Sequence, residues 1–461
     1  MATLLPACRS TEDVQPPVVT PEAATAFLDS VQLRTFGYFR DLMNPANGLV
    51  PDRWPTPSFS SIAAVGFGLT AHPIAVERGW LTRAEATQRV LTTLRFFWTA
   101  PQGPQPTGTA GHRGFFYHFL DMASGRRFET VELSTVDTAL LLAGALFCRE
   151  YFDGGTAEEM EIRALADSLY RRVDWSFALE RPPLISMGWK PEEGFNSYDW
   201  RGYNEGMIVY VLALGSPTHP IDPAAWQAYT STYVWGEWYG QSHVAFAPLF
   251  GHQYSHVWID FRGIRDAYMR DKGSDYFENS RRATLAQRAY AVANPMRFAG
   301  YGRNLWGLTA SDGPIDGTFP MDGRERRFFT YAARGAALNE IRDDGTIAPT
   351  AAGGSVPFAP EIAIPALLEM RTRYGPWLWG PYGFLDAFNP TFRLNVQPRH
   401  GRVVADTGWF DTDYLGIDQG PILAMIENYR SDLVWRLMRR SPYIRAGLHR
   451  AGFTGGWLDA Q

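Results

Sequence analysis

YNEGMIVYVLALGSPTHP, residues 203–220, is the stretch on which the fold turns. Met207, Ile208, Val209, Tyr210, Val211, Leu212 and Leu214 leave almost no polar face, so a helix here is buried on most sides and needs neighbours on both. A carboxylate, Glu205, stands at its mouth beside Tyr203 and Asn204. Helical spacing starts at TPEAATAF, with Thr20 as N-cap and Pro21 in the first turn. It recurs near 58–78, 82–99, 132–153, 157–172, 222–233, 255–271, 273–293, 358–374, 415–440 and 441–451. Several of these segments are apolar nearly all round, and no solenoid-type repeat is evident. An inner ring of apolar helices inside an outer amphipathic ring satisfies both facts. The expected fold is therefore all-α, an (α/α)6 toroid with functional loops over one end; an irregular multi-helix domain is the competing arrangement. Period-two alternation is confined to GFFYHFLD and AALNEIRDDGTIAP, read as small hairpins outside the helical body.

The net charge of −5 argues against nucleic acid, which calls for clustered Lys and Arg. Apolar runs carry polar residues at helical periods, so none reads as a transmembrane span. Aromatic residues make up 14% of the chain, and many lie in Gly- and Pro-rich segments such as RWPTPSF, WGEWYGQ and YGPWLWGPYGF. Singly these are loop anchors; as a set they fit a polar cleft with aromatic walls. Two cysteines are too few for a disulfide framework. Cys148 sits in an apolar helical run and reads as a buried thiol, whereas Cys8 in LLPACRSTED looks like the end of a bacterial lipoprotein signal. The expected organisation is a leader or tether at 1–21 and a single catalytic domain at 22–461. The expected location is the periplasm or outer membrane, with membrane contact only through a lipid anchor at Cys8.

Chemistry is carried by carboxylates. In FETVELSTVDTALLLAG, Glu132 is either a helix cap or a functional group, with Ser134 as a rival cap. Asp137 lies about a turn into the helix, where a sugar-binding or catalytic role is the more natural reading. Glu205 is either a cap or a general acid: the preceding FNSYDWRGY surrounds it with rings, and such surroundings disfavour the ionised form and keep a proton near neutral pH. Asp386 lies between apolar residues in GPYGFLDAFNPT, and Asp411, Asp413, Asp418 and Glu427 follow. No calcium loop is present. His252 and His256 have a zinc-like spacing but lack a neighbouring Glu and a defined third ligand, so hydrogen bonding to sugar or a structural pair is expected. Phosphate-binding loops and nucleophile elbows are missing from the sequence. No metal and no cofactor are expected.

YNEGMIVYVLALGSPTHP, GHQYSHVWIDFRGIRD, GYGRNLWGLTASDGP, DDGTIAPTAAGGSVPFAPEIAIPAL, YGFLDAFN and YLGIDQGPILAMIENYRS together resemble the bacterial glycoamylase-like domain, typified by the endo-β-1,2-glucanases of glycoside hydrolase family 144. The likeness runs from about residue 25 to 455. It implies an (α/α)6 barrel that cleaves β-1,2-glucan to sophorose and sophorooligosaccharides, with inversion. It implies Glu205 as general acid, from the motif YNEG, and Asp386 as general base, from GFLDAFN. Glu132, Asp137, Trp200, Arg201, Tyr203, His252 and Trp306 are then expected to hold glucosyl units, in a monomer. A β-1,2-glucan transglycosylase and a non-catalytic periplasmic glucan-binding protein are the alternatives, and the older glucoamylase name keeps an α-glucan substrate open.

Overall fold

The computed structural model describes residues 20–460. Residues 1–19 of the expected leader, with Cys8, lie outside the described residues. The first helix, Pro21–Leu42, begins as its sequence dictates: the Thr20 side chain accepts from the Ala23 N–H, and Pro21 occupies a position whose missing N–H costs nothing.

Helices then alternate along the chain between half-buried and fully buried. Ile62–Glu77, Thr135–Tyr151, Met207–Gly215 and Gly416–Ser431 are buried almost throughout, as are the short Tyr254–Trp258 and Pro349–Gly353. Between them in sequence come the amphipathic Pro21–Leu42, Arg83–Thr99, Ala157–Arg171, Tyr276–Ala293 and Pro360–Leu378, with Pro442–Arg450 at the end. Ile62–Glu77 packs on both Thr135–Tyr151 and Gly416–Ser431, and Thr135–Tyr151 packs in turn on Met207–Gly215. The architecture is thus mainly helical, built around one large apolar core in which Phe67 stacks on Trp258 and Leu140, Ile208 and Met425 are sealed from solvent. Among the described residues, no helix is long and apolar enough to cross a membrane.

The alternation predicts most helices, and the differences have local causes. The segment expected as one helix at 255–271 is two, Tyr254–Trp258 and Ala267–Asp271, because Asp266 caps a new start by accepting from the Met269 N–H. The helix expected at 415–440 breaks where Asp432 adopts a left-handed conformation, φ 61°. Both expected hairpins are present: Gly111–His112 pairs with Phe115–Tyr117, and Gly335–Ala336 with Ile341–Arg342. Further ribbons, Trp235–Trp238 with Gln241–Val244 and Gly317–Met321 with Arg324–Phe328, have no clear alternation in sequence.

Short strands precede three of the buried helices and fix where each begins. Ser60–Ser61 pairs with Phe119–Leu120, Leu133–Ser134 with Phe116–Tyr117, and Tyr414–Leu415 with Arg53–Trp54. The carboxylates singled out above lie at these starts. Asp137 is in the first turn of Thr135–Tyr151, Asp418 in that of Gly416–Ser431, and Glu205 in the turn before Met207–Gly215.

Two of the buried helices touch backbone to backbone. A Cβ on Gly66 would lie 2.4 Å from the Leu140 carbonyl oxygen, and one on Gly144 would lie 2.2 Å from that of Gly66. Alanine at 144 gains about 1 kcal/mol of helix propensity. Forcing the two helices apart costs about 1–3 kcal/mol, or more where the obstacle is backbone. Gly144→Ala is therefore expected to lower the midpoint of urea unfolding; an unchanged midpoint would mean the helices are not locked at this crossing.

Candidate active site

Glu205 does not cap its helix. The N-cap is Gly206, and it is Ser255 Oγ that accepts from the free Ile208 N–H there, at 3.1 Å. The turn is held by its neighbours: the Asn204 side chain accepts from Gly206 N at 2.9 Å, and the Glu205 carbonyl accepts from Ser255 Oγ at 3.0 Å. The Trp200 ring lies so close to Gly206 that a Cβ there would meet it at 2.9 Å, and its Nε1 donates to Thr135 Oγ1 at 2.9 Å. Glu205 is left half-buried. Burial lifts its pKa from 4.5 to about 7, and the nearby charge of Asp137 pushes the same way against its own backbone N–H.

Glu132 is not a cap either; Ser134 takes that place, accepting from the Asp137 N–H. Glu132 and Asp137 instead share a partner that sequence reasoning did not single out, His118. Its Nδ1 is 2.9 Å from Glu132 Oε1 and its Nε2 is 3.5 Å from Asp137 Oδ2. The Ser134 hydroxyl donates to the same Asp137 oxygen at 2.5 Å. Beside Glu132 a shallow depression is lined by Trp189, Lys190, Phe195 and Asn196.

A second carboxylate group surrounds Asp386. Its Oδ2 accepts from the Asp312 N–H at 2.7 Å, while its Oδ1 is buried with no protein partner. Asp312, Asp411, Asp413 and Asp418 are nearly or fully buried alongside it. Burial is the largest force raising Asp386, followed by the charge of Asp418 and its hydrogen bond. Asp418 is raised to about 7, again by burial first. The pair is coupled: interaction with Asp418 raises Asp386, while the hydrogen bond from Asp386 lowers Asp418. Arg53 supplies the positive charge: Nη1 donates to Asp312 Oδ2 at 2.7 Å and lies 3.6 Å from Asp413, with Nε 3.5 Å from Asp52. Oxygens of Asp312, Asp386 and Asp411 lie within 4.8 Å of one another, an oxygen-only set of the kind hard cations use, to which the Arg53 guanidinium already brings positive charge.

The two groups act on common residues. Tyr254 lies in the fields of Asp418, Glu205 and Asp137, and Asp52 in those of both His118 and Asp312. Above them Tyr331, 49% exposed, senses Asp418, Asp386, Asp52 and Asp312. Arg201 is exposed near Glu205 in sequence.

Four expected sugar contacts are corrected by their packing. Trp306 is 0% exposed in the core with Ile347 and Ala351, and has no face to offer. His252 is also 0% exposed, its Nε2 3.1 Å from the Phe246 carbonyl, and burial pushes its pKa down to about 3. Tyr203 is packed between Tyr276, Tyr233 and His252 with its hydroxyl 3.4 Å from Ser280 Oγ. Trp200 spends its N–H on Thr135 and its face on Gly206. Trp200 packs on the turn that carries Glu205, and all four rings are buried in the core. His256, the other half of the zinc-like pair, is occupied by Ser280 at 3.1 Å. Arg53, Asp52, Asp312 and Tyr331 join the site unheralded: each lies in a loop or two-residue strand, where no periodicity marks a side chain.

With this geometry in view, the family model described as "Putative glucoamylase" matches residues 197–442, more than half of the chain. The chain belongs to the glycoamylase family. A glycoamylase-family structure of the same description, from Bacteroides uniformis, is 32% identical, with a TM-score of 0.80 over 95% of this chain and 99% of the other. An endo-β-1,2-glucanase of Chitinophaga pinensis, solved with sophorotriose and glucose, is 28% identical, with a TM-score of 0.80 over 94% of this chain and 99% of the other. An exo-β-1,2-glucooligosaccharide sophorohydrolase of Parabacteroides distasonis is 29% identical over 93% of this chain. The chain spans 58% of the length of that curated relative.

The proton on Glu205 has a consequence for stability. Its folded pKa lies above the unfolded value of 4.5, so its contribution is fully present below pH 4.5 and is lost as pH rises through 7. Glu205→Gln, neutral throughout, is expected to have a higher unfolding midpoint than the parent at pH 8, with the gap closing at pH 4. Equal gaps at both pH values would show that Glu205 titrates normally.

Proposed function

We propose that this chain is a glycoside hydrolase that cleaves β-1,2-glucan to sophorose and longer sophorooligosaccharides, in an (α/α)6 toroid formed by residues 22–461. The six buried helices alternating with amphipathic ones support that architecture. Similarity over more than nine-tenths of the chain to two enzymes named for β-1,2-glucan or its oligosaccharides supports the substrate. The reading rests chiefly on Glu205, a half-buried carboxyl whose pKa burial raises to about 7, with a second group of buried carboxyls, Asp386 and Asp418, raised by burial as well.

In the proposed mechanism the Glu205 carboxyl gives its proton to the glycosidic oxygen as the bond to C1 breaks. Asp386, in its ionised form, takes the proton of the incoming water at Oδ1, which has no protein partner. Asp386 is only 2% exposed, so that proton travels a short hydrogen-bonded path, through a sugar hydroxyl or a second water. Attack from the face opposite the leaving group gives inversion. Arg53 holds Asp312 by a hydrogen bond and lies beside Asp413 and Asp52, whose oxygens serve as acceptors for sugar hydroxyls. Glu132, Asp137 and Arg201 hold glucosyl units, and the exposed Tyr331 offers a ring face for stacking.

On linear β-1,2-glucan, Glu205→Gln is expected to lower kcat by about 10²–10⁴-fold, the usual contribution of a general acid. The parent's kcat/KM should decline above pH 7, where Glu205 loses its proton. Near-parental turnover in Glu205→Gln, or an alkaline limb it leaves in place, would remove the acid from this residue. The anomer of the fresh product, read by proton NMR, distinguishes the inverting hydrolase from a retaining transglycosylase.

A further inference from the structure

Arg334 is used by no step above, although it is sealed from solvent and pairs with an equally sealed Asp344. Its fork is fully engaged. Nε and Nη2 donate to the two Asp344 oxygens at 2.8 and 2.9 Å, a bidentate pair. Nη2 also donates to the Phe329 and Thr330 carbonyls at 3.0 Å each, in the loop that carries Tyr331. Nη1 serves a different segment, donating to the Ser311 carbonyl at 2.7 Å and to the Asp312 carbonyl at 3.2 Å. The guanidinium lies directly on that segment: a Cβ on Gly313 would stand 2.0 Å from Nη2. A buried ion pair is weak evidence of a stabilising role, since apolar side chains of similar volume often replace one without loss. What this pair holds is the more informative observation.

The peptide that joins Ser311 to Asp312 is gripped at both ends. Its C=O accepts from Arg334 Nη1, and its N–H, the Asp312 amide, donates to Asp386 Oδ2 at 2.7 Å. A trans peptide is planar and directs these two groups to opposite sides. One rigid unit therefore spans from a cation to the carboxylate assigned as general base. A cation at the carbonyl strengthens the N–H as a donor, because hydrogen bonds in a chain polarise one another. We propose that Arg334 is a positioning residue for Asp386: through the Ser311–Asp312 peptide it fixes and polarises the N–H that holds Asp386 Oδ2, and so leaves Oδ1 for the water.

The groups that face Asp386 from the neighbouring elements set the direction of the effect. Asp418, from Gly416–Ser431, and Asp312, from the segment after Ala310–Ser311, both raise it. Asp411, just beyond Gly408–Phe410, is itself raised by Asp386, and the Asp413 carbonyl accepts from the Asp386 N–H at 3.0 Å. Arg53, Tyr331 and Arg334 each lie in the field of Asp386. Against burial and these carboxylates, the hydrogen bond from the Asp312 amide favours the ionised form. Loss of that bond raises Asp386 further, and the base then ionises only at higher pH.

This inference rests on Asp386 as the base, and two measurements separate the claims. Arg334→Lys keeps the charge, but one ammonium cannot reproduce the planar fork that reaches Asp344 and both peptide segments. On linear β-1,2-glucan it is expected to lower kcat about tenfold or more with KM within about threefold, and to move the acid limb of kcat/KM about half a pH unit or more toward alkali. A purely structural Arg334 predicts a lower unfolding midpoint with the acid limb in place; that result, or an unchanged kcat, would overturn the proposal. The second measurement leaves Arg334 intact and does not depend on that variant folding. In nitrogen-15 and proton spectra, the near-isosteric Asp386→Asn should move the signals of the Asp312 amide and of Arg334 Nη1 together, while Arg334 Nε, bound to Asp344, stays in place. Movement of the Asp312 amide without Arg334 Nη1 would contradict a link through the peptide. Should Asp386→Asn keep its turnover, the base assignment falls, and the spectra alone then decide whether the peptide couples Arg334 to Asp386.

Discussion

The backbone contact between Gly66 and Gly144 sets the spacing on which the rest depends. It draws Ile62–Glu77 and Thr135–Tyr151 together closely enough for the two segments that precede them to share one strand partner. That partner carries His118, whose main chain bridges Ile62 and Glu132. The ring of His118 therefore stands between Glu132 and Asp137 because two glycines deep in the core leave no room for side chains. The same logic holds where Met207–Gly215 crosses Pro442–Arg450: a Cβ on Gly447 would lie 2.0 Å from the Val211 carbonyl oxygen. Small residues in the core govern the distance between helices, and that distance governs which groups meet at the cleft.

Electrostatics divides the cleft into two unlike halves. On one side His118 lies between Glu132 and Asp137, and burial raises Glu205 toward the protonated form. On the other, Arg53 is shared among Asp52, Asp312 and Asp413, too little charge for six buried carboxyls counted with Asp386, Asp411 and Asp418. Burial then forces protons onto the remainder, above all Asp386 and Asp411. A proton donor and a separate group of coupled carboxyls are the parts that acid–base cleavage of a glycosidic bond needs.

The helical body was largely legible in the sequence because burial on all sides leaves its mark residue by residue, as in MIVYVLALG. Helix breaks were not, since they depend on single conformations such as the left-handed Asp432. Glu205, Asp386, Glu132 and Asp137 were legible as carboxylates at helix starts or among apolar neighbours. The errors were aromatic. Trp200, Tyr203, His252 and Trp306 sit in loops rich in rings, and a ring that walls a core looks the same in sequence as a ring that lines a cleft. His118 and Arg53 escaped notice because their meaning is carried by contacts with residues distant in the chain, such as Arg53 with Asp312.

The central claim is the pairing of this site with β-1,2-glucan, and one measurement addresses it directly. Purified protein is incubated with linear β-1,2-glucan, soluble starch and β-1,3-glucan in parallel, and the oligosaccharides are profiled over time. The account predicts sophorose and sophorooligosaccharides from β-1,2-glucan and no products from the other two. Maltooligosaccharides from starch, with β-1,2-glucan left intact, would contradict it.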